Sequence, residues 1–269
     1  FYPGYTVEDI REMTRKGLIG SFLHVVTAEE ANYLQKLAQQ SRLKIPLFIA
    51  IDDLHGNGLY RGATVYPTPI GQAATFSPAL VEQMSRQTAL EMRACGMHWA
   101  FAPNVEVARD LRWGRVGETF GEDPYLIGLM GSATVTGLQT AKPEGTDKVL
   151  ACVKHFVGGS LTTNGINGSP AAMSERMLRE VFLPPFIKAI SAGCTTLMPS
   201  HNDLNGIPCH GNKWLLNDLL RKEMGFNGVI VSDWLDVERI HSYHKLVPTK
   251  DEAYLMGFEA GIDVHMHGP

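Results

Sequence analysis

The chain has 269 residues, enough for one large α/β domain or two small ones, and a chain of this size can bury a core without staples. Hydrophobic residues make up 44% and charged residues 19%, and the net charge is −4 with no basic tract, so nucleic acid is not an expected partner. No apolar run approaches the roughly 18 residues of a membrane span, so no membrane partner is expected.

Strand-like and helix-like segments alternate along the chain. It opens on a helical stretch, TVEDIREMTRKG, and then runs through apolar segments at Gly17–Val26, Ile45–Ile51, His98–Pro103, Val149–Val157, Cys194–Pro199, Gly228–Val231 and Gly261–Val264. Between them, amphipathic stretches cover Ala28–Arg42, Ala79–Cys95, Ser174–Ala192, Lys213–Met224 and Asp251–Ala260. Ser77-Pro78 reads as a cap followed by a first-turn proline. Gly96, Gly193, Gly225 and Gly261 each follow a helical stretch and suit a left-handed C-terminal residue. Continuous apolar strands separated by helices predict a parallel sheet covered on both faces.

An open doubly wound sheet would show a glycine-rich turn after its first strand, whereas Thr27-Ala28-Glu29-Glu30 is a plain helix start. The strand ends favour a TIM-type (β/α)₈ barrel. Asp52-Asp53, Asn104 with Glu106, Lys154-His155, Ser200-His201, Ser232-Asp233 and Asp263 with His265 all sit at or just beyond the carboxyl ends of apolar runs. A barrel gathers those ends at one mouth. Seven strands are visible, so the barrel is expected to be incomplete, with its first strand and last helix not evident. The chain also begins without methionine and shows no signal peptide, as a processed or excised piece would.

Asp233 follows the β-branched run Val229–Val231 after a single serine and precedes Trp234. A carboxylate beside an indole suits a sugar, whose C–H face packs on the ring while the carboxylate attacks the anomeric carbon. A helix cap is the bland alternative for Asp233, and Asp236 is the more natural cap. Asp52 and Asp53 can accept from hydroxyls, Lys154-His155 places a cation and an imidazole at one tip, and Arg115 lies in a glycine- and charge-rich loop with Glu118 and Glu122 at hand for an ion network. His24, His98 and His210 read as structural groups. Four cysteines, at 95, 152, 194 and 209, show no metal or disulfide spacing and read as free buried thiols. His265 and His267 are two apart, as a metal pair could be, but lack an evident third ligand, so no metal and no cofactor is expected.

The blocks AIDDLHG (50–56), FAPNVEVARDLRWGRVGETFGEDP (101–124), ACVKHFVG (151–158), MSERMLREVFLPPF (173–186) and GVIVSDW (228–234) resemble the N-terminal domain of glycoside hydrolase family 3, the family of many β-glucosidases. The resemblance spans almost the whole chain, so residues 1–269 are expected to be one such barrel domain. It implies that Asp233 is the nucleophile and Trp234 the indole beside it. It also implies that Asp52, Arg115, Lys154 and His155 hold the sugar, with His201 near the nucleophile in a less defined role. The reaction implied is exo-acting, retaining hydrolysis of a β-glycoside or β-linked oligosaccharide through a glycosyl-enzyme intermediate. GSLTTNGINGSP (159–170) replaces the family's usual GDGGT and carries none of the histidine/aspartate pair seen in relatives that cleave N-acetylglucosamine. The acid/base is then expected in a second domain, absent from this chain. The family favours a periplasmic or secreted location, and a homo-oligomer is open. Two other classes remain at this point, a non-catalytic carbohydrate-binding or assembly module and a Schiff-base aldolase working through Lys154.

Overall fold

A computed structural model describes residues 4–140 and 147–266. Its framework is a parallel sheet of β1 (Ser21–Leu23), β2 (Phe48–Ile51), β3 (Trp99–Ala100), β4 (Leu150–Phe156), β5 (Thr196–Pro199) and a sixth strand, Val229–Ile230, hydrogen-bonded in that order. A further parallel bridge, Val231 to Val264, adds the seventh apolar segment at the edge. A two-stranded hairpin, β6 (Asp203–Leu204) with β7 (Ile207–Pro208), sits beyond β5, so Val229–Ile230 is β8. The sheet curls as a half-barrel of the TIM type, and among the described residues β1 and the Val264 segment form its two edges.

The helices follow the sequence reading with several differences. α1 (Val7–Lys16) is held by a Thr6/Asp9 capping box and closed by Gly17 in the left-handed region, so Gly17 ends a helix instead of opening a strand. α2 (Ala28–Ala38), α3 (Pro69–Ala73) and α4 (Pro78–Ala94) come next, and Ser77 Oγ caps α4 by accepting from the Leu80 amide. α5 (Pro124–Gln139) had no amphipathic signature because it is apolar nearly all round. It packs between α4 and α7, and Gly137 lets it approach α4: a Cβ there would lie 2.4 Å from the Glu82 carbonyl. The Ser174–Ala192 stretch resolves into α6 (Glu175–Met177), a π-helical Leu178–Phe182 and α7 (Leu183–Ser191), whose first turn holds Pro184 and Pro185. Lys213–Met224 is also π-helical, over Trp214–Glu223. α8 (Asp236–Ser242) and α9 (Lys250–Ala260) close the chain. Asp236 is not the cap of α8. That position is Leu235, at φ 61°, and Asp236 turns inward. All four C-terminal glycines have positive φ, and all four cysteines are free and buried.

Strand side chains alternate between two cores. Ile49, Ile51, Ala100, Val153, Leu197 and Ile230 join the large core under the helices. Ala50, Trp99, Phe101, Cys152, Met198 and Val231 form a second, smaller core on the concave face. The concave parity continues past the strand ends: two residues on from Ala50, Cys152 and Val231 lie Asp52, Lys154 and Asp233. That alternation is what delivers three charged groups to one mouth.

Candidate active site

A pocket of about 350 Å³ opens at the mouth, lined by His24, Asp52, Arg115, Glu118, Lys154, His155, Asp233 and Trp234 over a floor of Leu23, Phe101, Met198 and Met266. Six of the seven site residues read from sequence line it. The seventh, His201, lies behind it, 3.1 Å from Asp233 Oδ2 through Nε2. Trp234 is 44% exposed and presents its indole at the rim.

Lys154 is buried and donates from Nζ to Asp52 Oδ1 at 2.7 Å, while His24 Nε2 lies 3.0 Å from Asp52 Oδ2. Burial alone would raise Asp52, but the Lys154 ammonium and the His24 hydrogen bond outweigh it and hold the carboxyl well below its usual range. Asp52 is therefore an ionised acceptor, and His24, read from sequence as structural, belongs to the site. Asp53 does not. It has the opposite parity, is buried away from the pocket, and is pushed well above the usual carboxylate range by burial and by the charge of Asp52.

Arg115 makes a two-pronged pair with Glu118, Nε and Nη2 each 2.8 Å from a carboxylate oxygen. Its Nη2 also lies 3.0 Å from His155 Nε2. A guanidinium only donates, so His155 Nε2 carries no proton, and His155 gives its Nδ1–H to Glu106 Oε2 at 2.8 Å. Burial, helped by the charges of Arg115 and Lys154, holds His155 well below the ordinary imidazole range, and burial raises Glu106 to about 7. Below about pH 7 the pair is thus neutral. Arg115 is itself placed by the 159–170 segment that departs from the family pattern. Trp113 Nε1 donates to Asn167 Oδ1 at 3.0 Å, the Asp110 amide donates to the Ser160 carbonyl, and Gly165 packs so closely that a Cβ would lie 2.8 Å from that of Arg112. The segment thus acts as a buttress for the arginine loop.

Asp233 Oδ1 accepts from the Trp234 amide at 2.6 Å. His210, also read as structural, accepts the Asp233 amide on Nε2 at 2.9 Å. His98 keeps its structural reading, taking the Ile49 amide at 3.4 Å. His155, His201 and Asp233 place one donor atom each within 4.8 Å of one another. The Arg115 guanidinium occupies the approach to His155 Nε2, which sets a positive charge against any cation there. His265 Nε2 pairs with Glu238 Oε2 at 3.1 Å, and His267 lies outside the described residues.

The fold and the mouth fit what comparison finds. A family profile described as glycosyl hydrolase family 3 N terminal domain matches residues 5–269. The chain belongs to this family. It is 44% identical over 258 residues to a beta-xylosidase of Formosa agariphila, covering 92% of this chain and 36% of that protein. It is 36% identical over 265 residues to a periplasmic beta-glucosidase of Salmonella typhimurium, covering 98% and 34%. A mutant beta-glucosidase from Listeria innocua, solved in complex with laminaribiose, superposes with a TM-score of 0.87 at 37% identity, over 92% of this chain and 34% of that one. The chain spans about a third of the length of these family 3 relatives. No helix among the described residues is long and apolar enough to cross a membrane.

Proposed function

We propose that this domain is the nucleophile-bearing half of a retaining, exo-acting β-glycosidase, most closely a β-glucosidase, with Asp233 forming the glycosyl-enzyme ester. The observation that carries the reading is the placement of the Asp233 carboxylate beside an exposed indole in a pocket otherwise lined by hydroxyl-binding charges. Asp52, Lys154, Arg115 and His155 hold one sugar ring in a fixed pose, and that pose is where orientation-based catalysis begins. The acid/base belongs to a part of the protein outside these 269 residues. Of the other carboxyls lining the pocket, Asp52 is locked ionised against Lys154 and Glu118 is clasped by Arg115. Glu106 does carry a proton near neutrality, but it is buried and does not line the pocket. The Lys154–Asp52 pair also argues against a Schiff base, which needs a neutral amine. A periplasmic location follows the naming of the Salmonella relative.

The test uses aryl β-glucosides and β-xylosides with the full-length protein, the xylosides because of the Formosa relative. Hydrolysis with a first-formed β-anomer is expected. The 269-residue chain alone is expected to be slower by about 10²–10⁴-fold, the usual worth of a general acid/base. A first-formed α-anomer from the full-length protein overturns retention, and equal turnover by the isolated chain places the acid within it, with Glu106, Glu118 and Asp203 to be substituted first.

A further inference from the structure

Asp236 is fully buried behind the pocket, yet both of its carboxylate oxygens are engaged. Oδ2 accepts from His201 Nδ1 at 2.6 Å and stands 3.7 Å from His210 Nδ1, while Oδ1 accepts from Arg239 Nη1 at 3.1 Å. The far nitrogen of each imidazole reaches Asp233. His201 Nε2 lies 3.1 Å from its Oδ2, and His210 Nε2 takes its backbone N–H at 2.9 Å. An amide only donates, so His210 Nε2 is unprotonated, and its single proton sits on Nδ1 facing Asp236. His201 has a carboxylate oxygen against each nitrogen, and only the imidazolium offers a proton to both.

We propose that Asp236 is a positioning residue for the nucleophile. It holds His201 as an imidazolium against Asp233 Oδ2, and His210 in the tautomer that takes the Asp233 amide. This rests on reading Asp233 as the nucleophile. The groups facing His201 from the surrounding elements are Asp233 and Asp236, His155 with its ring stacked at 5.7 Å, Arg115, Glu106, His210, and His244, whose Nε2 lies 3.2 Å from the His201 carbonyl. Burial alone would lower His201, but the Asp236 hydrogen bond and the charge of Asp233 outweigh it and hold the imidazole above its ordinary range, whereas burial holds His210 below it. With Oδ1 on the Trp234 amide and Oδ2 on His201, the carboxylate is fixed at both ends. Loss of the His201 proton turns a lone pair toward Oδ2 and releases that hold. Attack on the sugar therefore slows as pH rises through the His201 midpoint.

The test reads the nucleophile without the acid/base. Full-length protein is treated with a dinitrophenyl 2-deoxy-2-fluoro-β-glucoside, whose dinitrophenolate departs without a proton as the Asp233 carboxylate forms the ester. Labelling is mapped by peptide mass. Asp236→Asn is expected to lower the inactivation rate constant about 100-fold, the scale of a small misplacement of reacting groups. It should leave the inhibitor's binding constant within about threefold and move the alkaline limb to lower pH. In parallel, ¹⁵N-imidazole spectra of the 269-residue chain, assigned with His201→Gln, should show His201 titrating above about 6.5 and falling to that value or below in Asp236→Asn. An unchanged His201 midpoint, or inactivation of Asp236→Asn at the wild-type rate and pH profile, overturns the proposal. Should Asp236→Asn not fold, His201→Gln carries the test: it is expected to abolish the alkaline limb, and an intact limb overturns the proposal equally. Absence of label on Asp233 in the wild-type protein defeats the nucleophile reading instead, and the spectra then still decide whether Asp236 sets the two imidazoles.

Discussion

Two imidazoles address the same oxygen of Asp233, His201 at 3.1 Å and His155 at 3.5 Å, and each gives its Nδ1 side to a buried carboxylate. They end in opposite states. His155 is held neutral, while His201 is held above the ordinary imidazole range. The difference lies one layer further back. Asp236 is buried too, but the hydrogen bond from His201 and the charges around it, with Arg239 on its other oxygen, bring it down to about 2. Glu106 has burial as its dominant influence and rises to about 7, and Arg115 closes the far nitrogen of its histidine. Burial and the neighbouring cations Arg115 and Lys154 keep His155 neutral, whereas the hydrogen bond of Asp236 and the charge of Asp233 outweigh burial at His201.

The largest expected effect comes from removing what both arms address. In the full-length protein, Asp233→Gly should lower kcat by about 10⁴-fold or more, since the covalent route is lost. Substrate binding should change far less, because Asp52, Lys154 and His155 remain. Added azide should restore part of the turnover and give the α-glycosyl azide, entering from the vacated side. A β-azide, or near-normal kcat without azide, would remove Asp233 from the nucleophile's role.

A smaller effect tests the neutral arm alone. Glu106 has its folded-state pKa raised from 4.5 to about 7, so the stability linked to its proton is fully present below 4.5 and lost as pH rises through 7. Glu106→Gln keeps an acceptor for His155 and cannot ionise. Its stability relative to wild type should therefore improve by about 3 kcal/mol between pH 4.5 and pH 8.5, since each tenfold change in proton affinity is worth about 1.4 kcal/mol. Urea unfolding at the two pH values checks this, and a pH-independent difference would mean that Glu106 is ionised in the fold.

The smallest effect is steric. A Cβ on Gly159 would lie 2.4 Å from Glu106 Oε1 and 2.6 Å from Ser200 Oγ. Gly159→Ala should cost about 2 kcal/mol through overpacking and disturb the His155 resonance while leaving that of His201 in place. Equal disturbance of both rings would show that the arms are not independent.

Much of this organisation was legible in the sequence, for physical reasons. The seven apolar runs each became a strand or bridge, because a two-sided parallel sheet needs continuous β-branched and apolar residues. The charged strand ends were visible because polar groups there have no packing role. What sequence did not show depends on contacts distant along the chain. α5 has no polar face to reveal its period. Asp236 looked like a helix cap because it lies three residues past Asp233, just where a helix follows the strand, and only the left-handed Leu235 turns it toward His201 and His210. His24 carried no local sign of its place in the pocket, since its partner Asp52 is 28 residues away.

The alternation that brings Asp52, Lys154 and Asp233 to the mouth also separates two kinds of inheritance. At these positions the odd-or-even count of a strand decides whether a side chain faces the pocket or the helical shell. A one-residue deletion within Gly228–Val231 would exchange those audiences, sending the carboxylate toward the shell, whereas substitution at the tips leaves the shell untouched. The chemistry of this mouth is therefore free to drift by replacement but closed to drift by insertion or deletion within the strands, and length is expected to vary in the loops beyond the tips.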